Sequence, residues 1–126
     1  MARTVLVVDD EPHLRELAAL SLERVGGFAV LTAGSAEECL AAVAEHGPDL
    51  VLLDAMMPGT DGPGTLARLR AAPAGAAVPV VFLTASVQRH QVAQLGALDV
   101  LGVLSKPFDP MELSAQVCGL AGWHGP

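Results

Sequence analysis

Positive charge is scarce in this 126-residue chain. Seven basic residues face fourteen acidic ones, for a formal charge of −7. A surface of that sign gives no grip on a phosphodiester backbone, so no nucleic acid is expected as a direct partner. Long apolar runs are missing too. Although 52% of the residues are hydrophobic, no run approaches the roughly eighteen residues that a bilayer crossing needs, and no membrane attachment is expected. Arg3 near the N-terminus is followed by neither a long apolar stretch nor a small-residue cleavage site, which makes the cytoplasm the expected location. Cysteine occurs twice, and Cys39 and Cys118 each fall at apolar spacing inside a predicted helix. That pattern reads as two buried thiols, not a disulfide framework. No internal repeat, linker or second domain is visible. One domain spanning 1–126 is expected, with its core at about 3–121 and a short C-terminal tail, Gly122-Trp123-His124-Gly125-Pro126, that is expected to fray.

Lysine occurs once. Six of the seven basic residues are arginine, and Lys106 stands alone at the end of an apolar run. Three further runs end the same way, on a charged or hydroxyl residue. Val5–Val8 leads into Asp9-Asp10, Leu50–Leu53 into Asp54, Val80–Leu83 into Thr84, and Val103-Leu104-Ser105 into Lys106. Helical patterns separate these runs. Glu11-Pro12 opens the first helix, with Leu14, Leu17, Ala18, Leu22 and Val25 at helical spacing and Gly26-Gly27 as its stop. Phe28–Leu31 is a short strand, and Ser35 with Glu38 forms a capping box for the second helix. A Pro-Gly-rich loop after Asp54 enters a third helix through Leu66 and Leu69, and residues 71–79 form a loop. The fourth helix is expected at about Val87–Leu98 and the fifth at Pro110 to about Leu120.

Strand and helix in strict alternation, with apolar strands buried on both faces, predict an α/β protein with a parallel sheet. The expected architecture is a flavodoxin-like (βα)5 doubly wound sheet of five strands, order 2-1-3-4-5, in a three-layer sandwich. In such sheets ligands bind outside the carboxyl ends of the strands. Each strand-end residue has a local explanation taken singly: Asp9 and Asp10 favour a helix N-terminus, Asp54 an Asx turn, Thr84 a helix cap, and Lys106 an exposed position. Their coincidence on one edge, from four separate units, points instead to a shared pocket. Three crowded carboxylates hold either protons or a cation, and oxygen-only ligands make Mg²⁺ the natural one. Such a pocket suits phosphoryl transfer, which needs little beyond positioning and electrostatics. His13, His46, His90 and His124 share no metal-ligand spacing and read as surface or capping residues. Trp123 reads as a packing anchor for the fifth helix.

With those motifs in place, the chain resembles a response-regulator receiver domain of two-component signalling over essentially its whole length. Val-Val-Asp-Asp-Glu-Pro at 7–12 resembles the family's acidic pair, and Asp54-Ala-Met-Met-Pro-Gly-Thr-Asp-Gly its phosphoacceptor segment. Thr84-Ala85 and Lys106-Pro107-Phe108 match the remaining two motifs, at intervals of 44, 30 and 22 residues from Asp10 through Asp54 and Thr84 to Lys106. The resemblance implies that Asp54 accepts a phosphoryl group from a phosphohistidine on a sensor histidine kinase or phosphotransfer protein. It implies Mg²⁺ held by Asp10, Asp54 and the backbone carbonyl of Met56, with Asp9 in an outer or shared shell. Thr84 and Lys106 would contact the phosphoryl group, Ala85 would keep the site open, and the Lys106-Pro107 bond would be cis. Met56 and Ser86, each two residues beyond a site residue, would set the lifetime of the phosphorylated form.

Two departures stand out. Where the family often has an aromatic residue three before the lysine, this chain has Val103, and it contains no tyrosine. Any signal must then travel through backbone shifts near Thr84 and the fifth strand. Asp99 replaces a glycine usual near the end of the fourth helix, so that helix is expected to end differently. Few residues remain after the fifth helix, so a stand-alone receiver is expected. Its output is docking to a downstream protein, through the face of the fourth helix, fifth strand and fifth helix that receivers commonly use, or passage of the phosphoryl group along a relay. Two other readings compete. A pseudo-receiver that never takes phosphate would be expected to lack one of the five site residues. A haloacid-dehalogenase-type phosphatase would show Asp-x-Asp where Asp54 is followed by Ala55-Met56, and would usually carry a cap domain.

Overall fold

Five strands and five helices alternate along the chain in the computed structural model, which describes residues 2–124. They are β1 (Thr4–Val8), α1 (Pro12–Arg24), β2 (Ala29–Ala33), α2 (Ala36–His46), β3 (Leu50–Asp54), α3 (Gly62–Ala71), β4 (Val80–Thr84), α4 (Arg89–Gly96), β5 (Gly102–Ser105) and α5 (Leu113–Ala121). All strand pairs are parallel, in the order β2-β1-β3-β4-β5. The expected fold class is the one observed.

Side chains in a strand alternate between its faces, and here both faces are covered. Leu6 and Val8 of β1, Val51 and Leu53 of β3, and Val80 and Phe82 of β4 face one cluster, which α2 and α3 close with Cys39, Val43, Leu66 and Leu69. Val5, Val7, Leu50, Leu52, Val81 and Leu83 face the other, closed by Ala18 and Leu22 of α1 and by Leu113, Val117 and Cys118 of α5. The two cysteines are free, buried and in different clusters. Burial pushes the Cys39 thiol up to about 12.

Local chemistry sets the helix starts. Glu11 caps α1, its carboxylate accepting from the Leu14 amide at 2.7 Å. Ser35 caps α2 through the Glu38 amide at 3.1 Å, while Glu38 reaches back to the Gly34 amide at 3.2 Å. Asp61 caps α3 through the Gly64 amide at 2.8 Å. At the other end of α2, Gly47 takes the left-handed cap conformation, φ +56°.

Several boundaries move from their sequence expectation. The second strand runs on to Ala33, because its amides continue to pair with β1. Leu17 points to solvent, and Ala18, Ala19, Ser21 and Leu22 form the buried stripe of α1. Ser21 is satisfied by the Pro110 carbonyl. The loop at 71–79 contains a 3₁₀ turn at Pro73–Gly75. The fifth helix starts at Leu113, three residues late, because Asp109 first makes a turn that ties down the amides of Met111 and Glu112. The fourth is shorter than expected, with no side-chain cap and no buried residue. Asp99 does not adopt a left-handed cap; its carboxylate lies 2.9 Å from Arg70 Nε, while Arg70 also donates to the carbonyls of Gly75, Val78 and Asp99. The tail, expected to fray, is anchored by Trp123, which stacks at a tilt on Phe28 and lies under the Arg3 guanidinium. Gly125 and Pro126, also expected to fray, lie outside the described residues.

Candidate functional site

The register Val8↔Leu53, Asp54↔Leu83 and Thr84↔Ser105 brings four strand ends to one edge. Asp9, Asp54 and Thr84 are buried there, while Asp10 is exposed. The Lys106 ammonium joins them, with Nζ 2.8 Å from Asp9 Oδ2 and 3.3 Å from Asp54 Oδ2. Its amide donates to the Thr84 carbonyl at 2.7 Å, which seats the residue at the sheet edge, and the Lys106-Pro107 bond is cis. Each carboxylate also has a backbone donor. Asp9 Oδ1 accepts from the Glu11 amide at 2.9 Å and Asp54 Oδ1 from the Met56 amide at 3.1 Å. The turn reading of Asp54 is therefore correct as local structure, and it coexists with the ion pair. The exposed-position reading of Lys106 is not, since its side chain is only 12% exposed.

Charge in the pocket is unbalanced. Burial pushes the Asp54 carboxyl above its ordinary value, and the neighbouring Asp9 charge adds to that, while the Met56 amide and Lys106 oppose it. For Lys106 burial acts downward, yet the hydrogen bond to Asp9 and the charges of Asp54 and Asp9 prevail and raise it. One ammonium thus compensates the carboxylates incompletely. Oxygens of Asp9, Asp10 and Asp54 lie within 4.8 Å of one another. Hard oxygen donors with uncompensated charge, one of them open to water, fit a cation that keeps part of its hydration shell, as Mg²⁺ does.

Thr84 does not cap α4. Its Oγ1 accepts from the Ser86 amide at 3.1 Å, and Ser86 Oγ in turn meets Gln91 Oε1 at 2.5 Å. Next to Thr84 a cleft of about 380 Å³ opens between α3 and α4, lined by Met56, Pro63, Ser86, Leu95 and Leu98 among others. Met56, which lines it, is exposed, as are Ala85 and Val87, and Val103 packs on the core.

The family profile described as "response regulator receiver domain" matches residues 5–118. The chain belongs to that family. Among curated relatives of this receiver, the phosphate regulon transcriptional regulatory protein PhoB of Pseudomonas aeruginosa is 35% identical over 129 residues, covering 100% of this chain and 55% of PhoB. The DNA-binding response regulator MtrA of Mycolicibacterium smegmatis is 42% identical over 120 residues, covering 93% of this chain and 50% of MtrA. The receiver spans about half the length of the curated relatives it matches. Chemotaxis protein CheY4 of Vibrio cholerae superposes with a TM-score of 0.86 at 26% identity, covering 95% of the receiver and 99% of that structure. The N-terminal domain of a receiver protein from Methanoculleus marisnigri gives 0.74 at 38% identity, covering 92% and 94%.

The sequence reading of the receiver missed Arg15, whose Nη1 donates to the Asp9 carbonyl at 2.9 Å, and Gln91, which holds Ser86. Neither sits at a strand end, so the pattern that exposed the other residues could not point to them. The histidines lie as expected, with His13, His46, His90 and His124 all exposed.

Proposed function

We propose that these residues form a single receiver domain in which Asp54 accepts a phosphoryl group from the phosphohistidine of a sensor histidine kinase or phosphotransfer protein. The observation that carries this reading is the Lys106 ammonium lying between the buried carboxylates of Asp9 and Asp54, on an acidic sheet edge. A carboxylate oxygen of Asp54 attacks phosphorus; the P–N bond to the donor imidazole breaks as the O–P bond forms, and the leaving imidazole takes the electron pair. Lys106 turns from Asp54 Oδ2 to a phosphoryl oxygen. The Thr84 hydroxyl, which accepts from the Ser86 amide, donates its proton to a second phosphoryl oxygen and carries the loop before α4 with it. Mg²⁺, held by Asp10, Asp54 and the Met56 carbonyl with Asp9 in an outer or shared shell, would supply charge neutralisation. Self-phosphorylation and self-dephosphorylation at Asp54 are the only chemistry assigned, with no separate substrate.

Output passes to a downstream protein through α4, β5 and α5, and Leu98 and Leu101 are exposed in the connection between α4 and β5. DNA binding is stated in the names of relatives about twice this length; we assign no nucleic-acid surface to these residues, whose charge is −7. Among the described residues no helix is long and apolar enough to cross a membrane, and we place the domain in the cytoplasm.

Intact mass after incubation with acetyl phosphate, with and without Mg²⁺, tests the reading on the parent and on Asp54→Ala. A Mg²⁺-dependent gain of one phosphoryl group in the parent alone is the expected result. No gain in the parent would sink it and leave a pure interaction module. Donor turnover without an adduct would revive the phosphatase.

A further inference from the structure

Asp9 is tethered at every polar atom. Its amide donates to the Ala33 carbonyl at 3.1 Å, its carboxylate is shared by Glu11 and Lys106, and its carbonyl accepts from Arg15 Nη1 at 2.9 Å. The last bond is the unusual one, because Arg15 belongs to α1 and reaches back to the strand end from six residues away. Its guanidinium lies across Gly34, in the loop between β2 and α2. A Cβ at Gly34 would stand 2.9 Å from Arg15 Nη1 and 3.7 Å from its Cζ. Glu38, bonded to the Gly34 amide, lies on the same side, 3.6 Å from that Cβ position.

We propose that Arg15 is a positioning residue for the cation site, acting through the Asp9 carbonyl, and that Gly34 is the opening that admits it. The proposal rests on reading the carboxylate cluster as a Mg²⁺ site. The Asp9 carbonyl is one end of the peptide group that joins Asp9 to Asp10. Among the described residues the exposed Asp10 carboxylate receives no hydrogen bond, so what places it is the backbone that carries it, of which that peptide group is a part. Arg15 fixes the plane from outside the pocket.

Charge and position make opposite predictions here. A guanidinium near a cation site repels the cation, so an effect through charge alone means that removing Arg15 tightens Mg²⁺ binding. An effect through position means that removal loosens it. Contacts that orient metal ligands typically carry 10–100-fold in affinity; a contact made through the backbone belongs at the low end, roughly tenfold.

The experiment is calorimetric titration of the full chain with Mg²⁺, on the parent, Arg15→Ala, Arg15→Lys, Gly34→Ala and the double Arg15→Ala/Gly34→Ala variant. Unfolding midpoints in EDTA accompany each. Gly34 has no left-handed backbone, and the atom its Cβ would meet is the far end of a flexible side chain, so the fold should accept alanine. Expected are roughly tenfold weaker binding in Arg15→Ala and in Gly34→Ala, midpoints in EDTA close to the parent's, and partial recovery in Arg15→Lys. The double variant should bind no worse than Arg15→Ala, since the added methyl acts only by displacing a guanidinium that is gone. Unchanged or tighter binding in Arg15→Ala, or losses that add in the double variant, would overturn the proposal while leaving the cation site standing. A parent that takes up no Mg²⁺ would overturn the cation reading itself, and this proposal with it.

Discussion

Replacing Lys106 by Met keeps most of the side-chain stem and removes the ammonium, which isolates the electrostatic part of its role. In the parent that charge lies 2.8 Å from one buried carboxylate and 3.3 Å from another, with side-chain exposures of 12%, 4% and 6% for Lys106, Asp9 and Asp54. Breaking a buried ion pair by removing one partner costs about 3–5 kcal/mol, because the surviving charge stays desolvated. The partly open mouth of the pocket argues for the low end, about 3 kcal/mol, or roughly 10 °C in Tm for a chain of this size. Urea unfolding at pH 7 in EDTA measures it, and saturating Mg²⁺ should return much of the loss, since a bound cation can take over the compensation. Adding Asp9→Asn should also return part of it, a non-additivity that a double-mutant cycle reads directly. The sign of the pH dependence is fixed as well. The Lys106 pKa is raised above 10.5, so its contribution is fully present below that value and fades as pH rises through the folded one. The gap between parent and Lys106→Met should therefore close in strong alkali. A loss below about 1 kcal/mol in EDTA, the range of exposed pairs, would refute the claim that this ammonium compensates buried charge.

Three further outcomes are expected. Asp54, raised mainly by burial, should titrate above 3.8 when its carboxyl carbon is followed by NMR in EDTA, and higher still in Lys106→Met; a midpoint at or below 3.8 would contradict the burial argument. Because a raised acid favours the fold when protonated, ionising Asp54 lowers stability as pH climbs from 3.8 through its folded value. Gly62→Ala would place a Cβ 2.6 Å from Ala55 Cα and 2.9 Å from Phe82 Cε1; backbone cannot yield as a side-chain tip does, so urea unfolding should show a loss of about 1–3 kcal/mol, and a neutral result would mean that the loop after β3 is free to move. Met56→Asn and Ser86→Glu should alter the decay rate of the phosphorylated form and leave its formation intact; decay equal to the parent's would remove both residues from that role.

The strand-end cluster was legible in the sequence because a polar residue closing an apolar run is a one-dimensional signal, and the parallel sheet turns it into proximity. Asp9, Asp54, Thr84 and Lys106 were found that way. Arg15 was not, since a long side chain that crosses from a helix to a neighbouring strand's carbonyl leaves no spacing to read. Pro110 looked like a helix start by residue type, but the turn made by Asp109 delays α5 to Leu113. Asp99 was read as a faulty helix end; its meaning lies in Arg70, 29 residues earlier, an ion pair that no local rule reveals. Leu17 matched the helical period and still faces water, because the stripe of α1 is set by the small residues that let it approach α5 and the sheet.

Among the five α-helices of the described residues α4 alone buries no residue, and its first turn lacks a side-chain cap. Its opening free energy must then lie near the bottom of the range spanned by the fold, so its amides should exchange with solvent well before those of α1, α2 or α5. Such a segment is less a rigid surface than a reservoir of conformational entropy. A partner that packs on it bears the cost of ordering it, and any event at Thr84 that stills the loop ahead of α4 lowers that cost beforehand. Affinity can rise in this way without one added contact at the interface.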